Sequence, residues 1–129
     1  MLACYADMRF AAAGVKFTAA FSRLNLPSES GISWLLPRIV GVTNANDILM
    51  SSRVFQAEEA KEMGLLNKVL PADELMPHVR QYAKALVDNI SPASLRMTKH
   101  QVYTDLHRAA NQSVEEADRL IHTSINHPD

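Results

Sequence analysis

The apolar positions of the chain change period along its length. Over residues 2–10, LACYADMRF, they alternate. Leu2, Cys4, Ala6, Met8 and Phe10 fall on one side, and Tyr5, Asp7 and Arg9 on the other. That alternation predicts a strand with one buried face. AAAG at 11–14 predicts a turn, VKFTA at 15–19 a second short strand, and RLNL at 23–26 is compatible with a third. Pro27 and Ser28 interrupt the pattern, and 30–36 predict a short apolar helix stopped before Pro37. Thr43 is placed to cap a helix over 44–51. Val54 and Phe55 form a brief extended link. A short helix over 56–64 follows, acidic early and closed by Gly64, then a strand within 65–70 closed by Pro71. From Asp73 the period becomes helical, with Leu75, Val79, Tyr82, Leu86 and Ile90 in register and Pro77 expected in the first turn. Ser91 and Pro92 open a further helix with a stripe of Leu95, Val102 and Leu106. Ser113 and Glu116 read as a capping box before Val114, Ala117, Leu120, Ile121 and Ile125. Pro128 and Asp129 end the chain.

Strands first and helices later argue an α/β or α+β architecture, with a β-rich segment over 1–72 and a helical segment over 73–129. The length of 129 residues suits one domain, and 47% hydrophobic with 21% charged residues is ordinary for a globular chain. A net charge of -1 offers no basic footprint for nucleic acid and no polybasic patch for a membrane, so neither is expected as a partner. No run of about 18 apolar residues is present to span a bilayer, and the N-terminus does not read as a signal peptide. Cys4 is the one cysteine, so no internal disulfide can form. That fits a reducing, cytoplasmic setting. Four glycines leave no Gly-rich phosphate loop.

The chemistry-bearing candidates are few. Glu29 lies among small residues in LPSESGISWLLPRIVG, residues 26–41, just before the apolar run holding the one tryptophan, Trp34. It can be a carboxylate at a helix N-terminus, stabilised by about 0.3–1 kcal/mol through the helix dipole, or a catalytic acid/base whose pKa burial would raise and the dipole lower. Trp34 reads as a core or subunit-contact residue. Cys4 reads as a buried thiol, and Asp7 with Arg9 as a surface or cross-strand charge pair. Lys99 and His100 read as part of a solvated helix face. The histidines 78, 100, 107, 122 and 127 form no i,i+4 pair and no HExxH, so no metal site is expected.

Several phrases in order resemble the enoyl-CoA hydratase/isomerase family, the crotonase superfamily. They are ADMRFAAAGVKF at 6–17, WLLPRIVG at 34–41, ANDILMSSRVFQAEEAKEMGLLNKVLPADEL at 45–75 and SPASLRMTKHQV at 91–102. The resemblance implies part of a ββα spiral core over 1–72 followed by helices of the kind that build trimers over 73–129. Family members are about twice as long, so it implies a C-terminal half that begins inside the core and stops before the last helix.

The resemblance also implies acyl-CoA thioester chemistry. Two backbone N–H groups stabilise an enolate-like oxygen, and one or two carboxylates move protons. No cofactor is implied, since coenzyme A belongs to the substrate. The two hydratase glutamates would fall on Met1 and on Phe21, four residues after Phe17, and neither is a glutamate here. The oxyanion donors would lie upstream of Met1. Glu29, eight residues before Pro37, falls where the peroxisomal-type isomerase branch carries its catalytic glutamate. Trp34 becomes a candidate wall of the acyl site, and Lys99 and His100 candidate contacts to a coenzyme A phosphate. The expectations are an isomerase-type site in the intact enzyme, little activity from this chain alone, and a homo-oligomer. The alternatives are a non-catalytic oligomerisation module and an orphan fragment.

Overall fold

The computed structural model describes residues 2–126. They form a mixed α/β structure of two compact units, one up to Arg80 and one from Gln81 onward. Leu2–Tyr5 form a 3-10 helix, not the start of a strand. Of the expected inward positions, Cys4 is buried and Phe10 half-buried, while Ala6 and Met8 are exposed. The reason is local: the 3-10 turn closes an Ala6 N–H to Ala3 carbonyl bond of 3.2 Å, and that curvature removes the period of two.

The first strand, β1, is Phe10–Ala12. It pairs in parallel with β4, Lys68–Leu70, in the register Phe10 with Lys68, Ala11 with Val69 and Ala12 with Leu70. β2, Lys16–Phe17, pairs antiparallel with β3, Phe55–Gln56. A parallel pair needs a long crossover, and the chain between β1 and β4 supplies it with two helices. α1 is Ile32–Ser51 and α2 is Ala57–Glu62. Ser22–Leu24, read as compatible with a third strand, is a second 3-10 helix. It ends on Asn25 at φ 56, a left-handed residue that reverses the chain.

α1 runs through Pro37, where the sequence predicts a stop. Its break comes at Gly41, with φ 77 and ψ 161, a conformation open to glycine and closed to L side chains. Ile32, Leu35 and Leu36 in the first part and Ala45 and Ile48 in the second are buried with Phe55, Leu65 and Leu66 in one cluster. Each large apolar side chain fully buried there contributes about 1.5–3 kcal/mol. α2 lies close on this cluster because its inward residues, Ala57 and Ala60, are small and fully buried. Its C-terminus bears out the expected glycine stop. Gly64 at φ 82 donates to Lys61 at 3.0 Å and Leu65 donates back to Ala60 at 2.8 Å, the paired bonds of a Schellman end.

The helical remainder is α3, Ala72–Asn89, α4, Pro92–Asp105, and α5, Ala110–Asn126. α3 begins before Asp73, so Pro77 sits beyond the first turn, inside the helix. Ser91 caps α4 as expected, its Oγ accepting the Ser94 N–H, with Pro92 at the first position. The expected capping box at Ser113 and Glu116 does not form. α5 starts earlier, and the Gln112 side chain accepts the Ala109 N–H at 3.2 Å. Ser113 lies within the helix, bonding back to the Ala109 carbonyl, and Glu116 pairs with Arg119. No residue of α3 or α4 is buried, and Val114, Ile121 and Ile125 of α5 are exposed. Within the second unit α4 and α5 enclose an open groove of about 780 Å³. Among the described residues no helix is long and apolar enough to cross a membrane.

Candidate active site

Glu29 is exposed on the loop between the second 3-10 helix and α1. Its main chain is closely held. The Glu29 carbonyl accepts the Ile32 N–H at 3.1 Å, and the two residues between, Ser30 and Gly31, have φ of 52 and 72. Two left-handed central residues closed by such a bond make a tight turn of the primed kind. Gly31 then begins α1, its carbonyl accepting the N–H groups of Trp34 and Leu35, each at 3.0 Å. Glu29 therefore stands within a turn of a helix N-terminus, where the dipole favours a carboxylate. Among the described residues its carboxylate has no hydrogen-bond or ion-pair partner.

Trp34 is 42% exposed and does not belong to the buried core. It projects from the first turn of α1 with the Arg38 guanidinium 4.0 Å from its ring centroid. Arg38 also donates to the Trp34 carbonyl at 2.8 Å, so indole and cation form one stacked pair on the helix surface. Glu29 and Trp34 are thus five residues apart in sequence and flank the same helix start.

Behind the loop lies a cavity of about 130 Å³. Phe17, Ala19, Phe21, Ile32 and Leu36 line it, together with Cys4 and Arg9. Glu29 is not among the lining residues, and no carboxylate is. Phe21, at one expected hydratase position, presents an aromatic ring to this space. Met1, at the other, lies outside the described residues, as do His127, Pro128 and Asp129. Cys4 is buried, and burial pushes its thiol pKa up, away from a reactive thiolate. Its burial is as expected.

Arg9 is not a simple surface charge. Its Nε donates to the Leu65 carbonyl at 2.6 Å, its Nη1 donates to the Ala6 carbonyl, and its main chain exchanges two 2.7 Å bonds with Asn67. The sequence also hid a charge cluster. Arg53, at the end of α1, bridges Asp47 at 2.6 Å and Glu59 of α2. Its guanidinium holds both carboxyl pKa values below their usual range, chiefly by hydrogen bonding. No spacing rule marks such a link, because its partners come from two elements. Gly14 donates its N–H to Glu58 at 2.9 Å, so that carboxylate too is occupied in holding the fold. Lys99 lies on the exposed surface of α4 with its Nζ 5.9 Å from the Tyr103 ring. Among the described residues no group of three or more histidine, cysteine, aspartate or glutamate side chains could hold a metal ion.

Comparison with known proteins places this geometry. The model of the enoyl-CoA hydratase/isomerase family matches residues 1–129. The probable enoyl-CoA hydratase EchA12 of Mycobacterium tuberculosis H37Rv is 32% identical over 120 residues, 92% of this chain and 42% of that protein. The crystal structure of the enoyl-CoA hydratase EchA12_1 of Mycobacterium marinum is 46% identical with a TM-score of 0.73, covering 81% of this chain and 53% of the other. A probable enoyl-CoA hydratase/isomerase of Mycobacterium abscessus superposes with a TM-score of 0.87 at 28% identity, over 95% of this chain and 51% of the other. The chain therefore spans about half the length of these relatives. Its strand pairing, helix order and sequence together make it a member of the enoyl-CoA hydratase/isomerase family, the crotonase superfamily.

Proposed function

We propose that the intact protein acts on enoyl-CoA thioesters of fatty acids and shifts their double bond, with Glu29 as the carboxylate that carries the proton. Such a shift needs one group able to accept a proton from one carbon and return it to another. The observation that carries this reading is the state of Glu29. Its main chain is held in a bonded turn at a helix start, while its carboxylate is left without a partner among the described residues. Asp47, Glu58 and Glu59 are committed to the fold by contrast. The phenylalanine at position 21 favours isomerisation over hydration, because an aromatic ring cannot activate water. Trp34, half-exposed beside Glu29, serves as a wall for the acyl group. Coenzyme A enters as part of the substrate, and no separate cofactor takes part. The single buried thiol suits a reducing, cytoplasmic setting.

On this reading the 129-residue chain carries the proton-moving carboxylate but not the oxyanion donors, and alone it turns over little substrate. The test uses a protein of the relatives' full length, made by joining the first half of the Mycobacterium marinum relative ahead of Met1. Glu29→Gln keeps shape and hydrogen bonding and removes the base. It lowers conversion of a 3-enoyl-CoA to the 2-enoyl product by about 10²–10⁴-fold, with hydration measured in parallel. A loss of only a few-fold moves the base elsewhere. A parent that hydrates without isomerising overturns the isomerase assignment.

A second reading, self-association without chemistry, is favoured by one observation. The apolar faces of α4 and α5 stay exposed at Val102, Leu106, Val114, Ile121 and Ile125. Exposed apolar residues at helical spacing suit a face that meets another surface. Sedimentation of the chain at micromolar concentration gives an oligomer on this reading; a monomer of 14.3 kDa sinks it.

A further inference from the structure

We infer that Tyr5 is the positioning residue of Glu29: its phenol holds the left-handed Ser30–Gly31 turn and so sets where the carboxylate stands. This rests on the reading of Glu29 as the proton carrier. The contact is direct, since the Tyr5 hydroxyl donates to the Ser30 carbonyl across 25 residues of sequence. The turn has need of it. Ser30 is not glycine, yet its φ is 52, a conformation that Cβ sterics disfavour. Gly31 follows at φ 72 and passes beneath the phenol, where an added Cβ would stand 3.7 Å from the Tyr5 oxygen. One internal bond, Ile32 N–H to the Glu29 carbonyl, closes the turn. The N-cap position offers no side-chain bond, because Gly31 occupies it. The holding contact therefore has to come from outside the loop.

Tyr5 is well mounted for that task. Cys4 beside it is buried in the core cluster. Ala6 on its other side is fixed twice, by its own N–H to the Ala3 carbonyl and by its carbonyl accepting from Arg9 Nη1. Arg9 is in turn bound to the Leu65 carbonyl. The phenol thus connects this hydrogen-bonded segment to the loop that carries Glu29. With the bond made, Glu29 is presented from a turn of fixed geometry. Without it, the turn can relax toward right-handed backbone and move the carboxylate.

The test has two arms. The first follows amide hydrogen exchange in the 129-residue chain. Tyr5→Phe removes the hydroxyl alone and speeds exchange of the Ile32 amide by about two- to tenfold, the factor one net hydrogen bond supplies. The amides of the β1–β4 ladder keep their rates. Replacing Tyr5 by 4-aminophenylalanine, which restores a donor, returns the Ile32 rate toward that of the parent. An unchanged Ile32 rate, an equal rise across the ladder, or no rescue overturns the inference. The second arm uses the full-length isomerising form. There Tyr5→Phe lowers kcat more than it raises KM, and adds nothing on a Glu29→Gln background. Losses that multiply show that Tyr5 does not act through Glu29 and overturn the inference. Glu29→Gln without effect removes the proton carrier and with it the catalytic purpose of the contact, while exchange at Ile32 still reads the contact itself.

Discussion

The two units of this chain use apolar residues in opposite ways. Up to Arg80 a set of them is buried together: Ile32, Leu36, Ile48, Phe55, Leu65 and Leu66 all fall below a tenth of their free exposure, around small α2 residues, while others such as Val42 and Met50 stay exposed. From Gln81 onward none of the residues whose burial is described is buried, and Ile121 and Ile125 are more than half exposed on regular helices. The amphipathic pattern is at least as regular in the second region. Periodicity therefore records that a face is to be covered, not that the same chain covers it. Polar closure differs too. The first unit ties separate elements together through Arg9 and Arg53, whereas the second relies on local pairs such as Lys84 with Asp88 and Glu116 with Arg119.

The largest test of this contrast is truncation on each side. Phe55→Ala removes a ring that is 4% exposed and stacked on Phe17 at 5.8 Å. It lowers stability by about 3–5 kcal/mol. Ile121→Ala changes the stability of the 129-residue chain by no more than about 0.5 kcal/mol. Urea unfolding of both variants checks this, and equal losses would mean that the outer face is covered after all. Next in size is Gly41→Ala. Nothing lies within 4 Å of the added methyl, so its cost is conformational alone, about 1–3 kcal/mol for an L residue forced into that backbone region. Thermal unfolding measures it, and a neutral result would show that α1 tolerates a straighter path.

The smallest effect is the dependence on pH. Arg53 lowers the folded pKa of Asp47 and Glu59 from ordinary values of 3.8 and 4.5. A depressed folded pKa means stability that is fully present above the ordinary range and is lost as pH falls through the folded values. The first unit therefore weakens progressively below about pH 4.5. Arg53→Met flattens that part of the stability curve, while the second unit keeps its own acid dependence from Glu116, whose pKa Arg119 lowers. Urea midpoints between neutral pH and pH 3 decide it. A slope unchanged by Arg53→Met would place the acid sensitivity elsewhere.

What could be read in advance followed the range of each signal. The Gly64 stop and the Ser91–Pro92 start depend on a few neighbouring residues, and both stand as expected. The alternation at 2–10 misled because a period of two over nine residues also arises by chance, and nothing in it marks the Ala3–Ala6 turn. Pro37 misled for another reason. A proline forfeits one helical bond, but the packing of Leu35, Leu36 and Val40 on the core outweighs it. Ser113 followed by Glu116 fits the pattern of a capping box, yet Gln112 is the residue whose side chain reaches the Ala109 N–H. The family and its order of elements were legible from four phrases. Arg53 with its two carboxylates and Tyr5 with Ser30 were not, since each joins residues that no local rule connects.

The break at Gly41 also acts as a frame shift in the helix. Val40 and Ala45 are both buried, yet they stand five residues apart. On one uninterrupted helix that spacing would set them about 140° around the axis from each other. The glycine resets the angular count, so each half of α1 keeps its own inward stripe. On a helix made continuous through Gly41, with no residue removed, Ala45 would stand about 180° around the axis from Leu36 and about 140° from Val40. The apolar stripe of the second half would then leave the core although no core residue had been changed. In this segment the position of one backbone reversal, as much as the identity of the side chains, decides which letters of the sequence are read as inside.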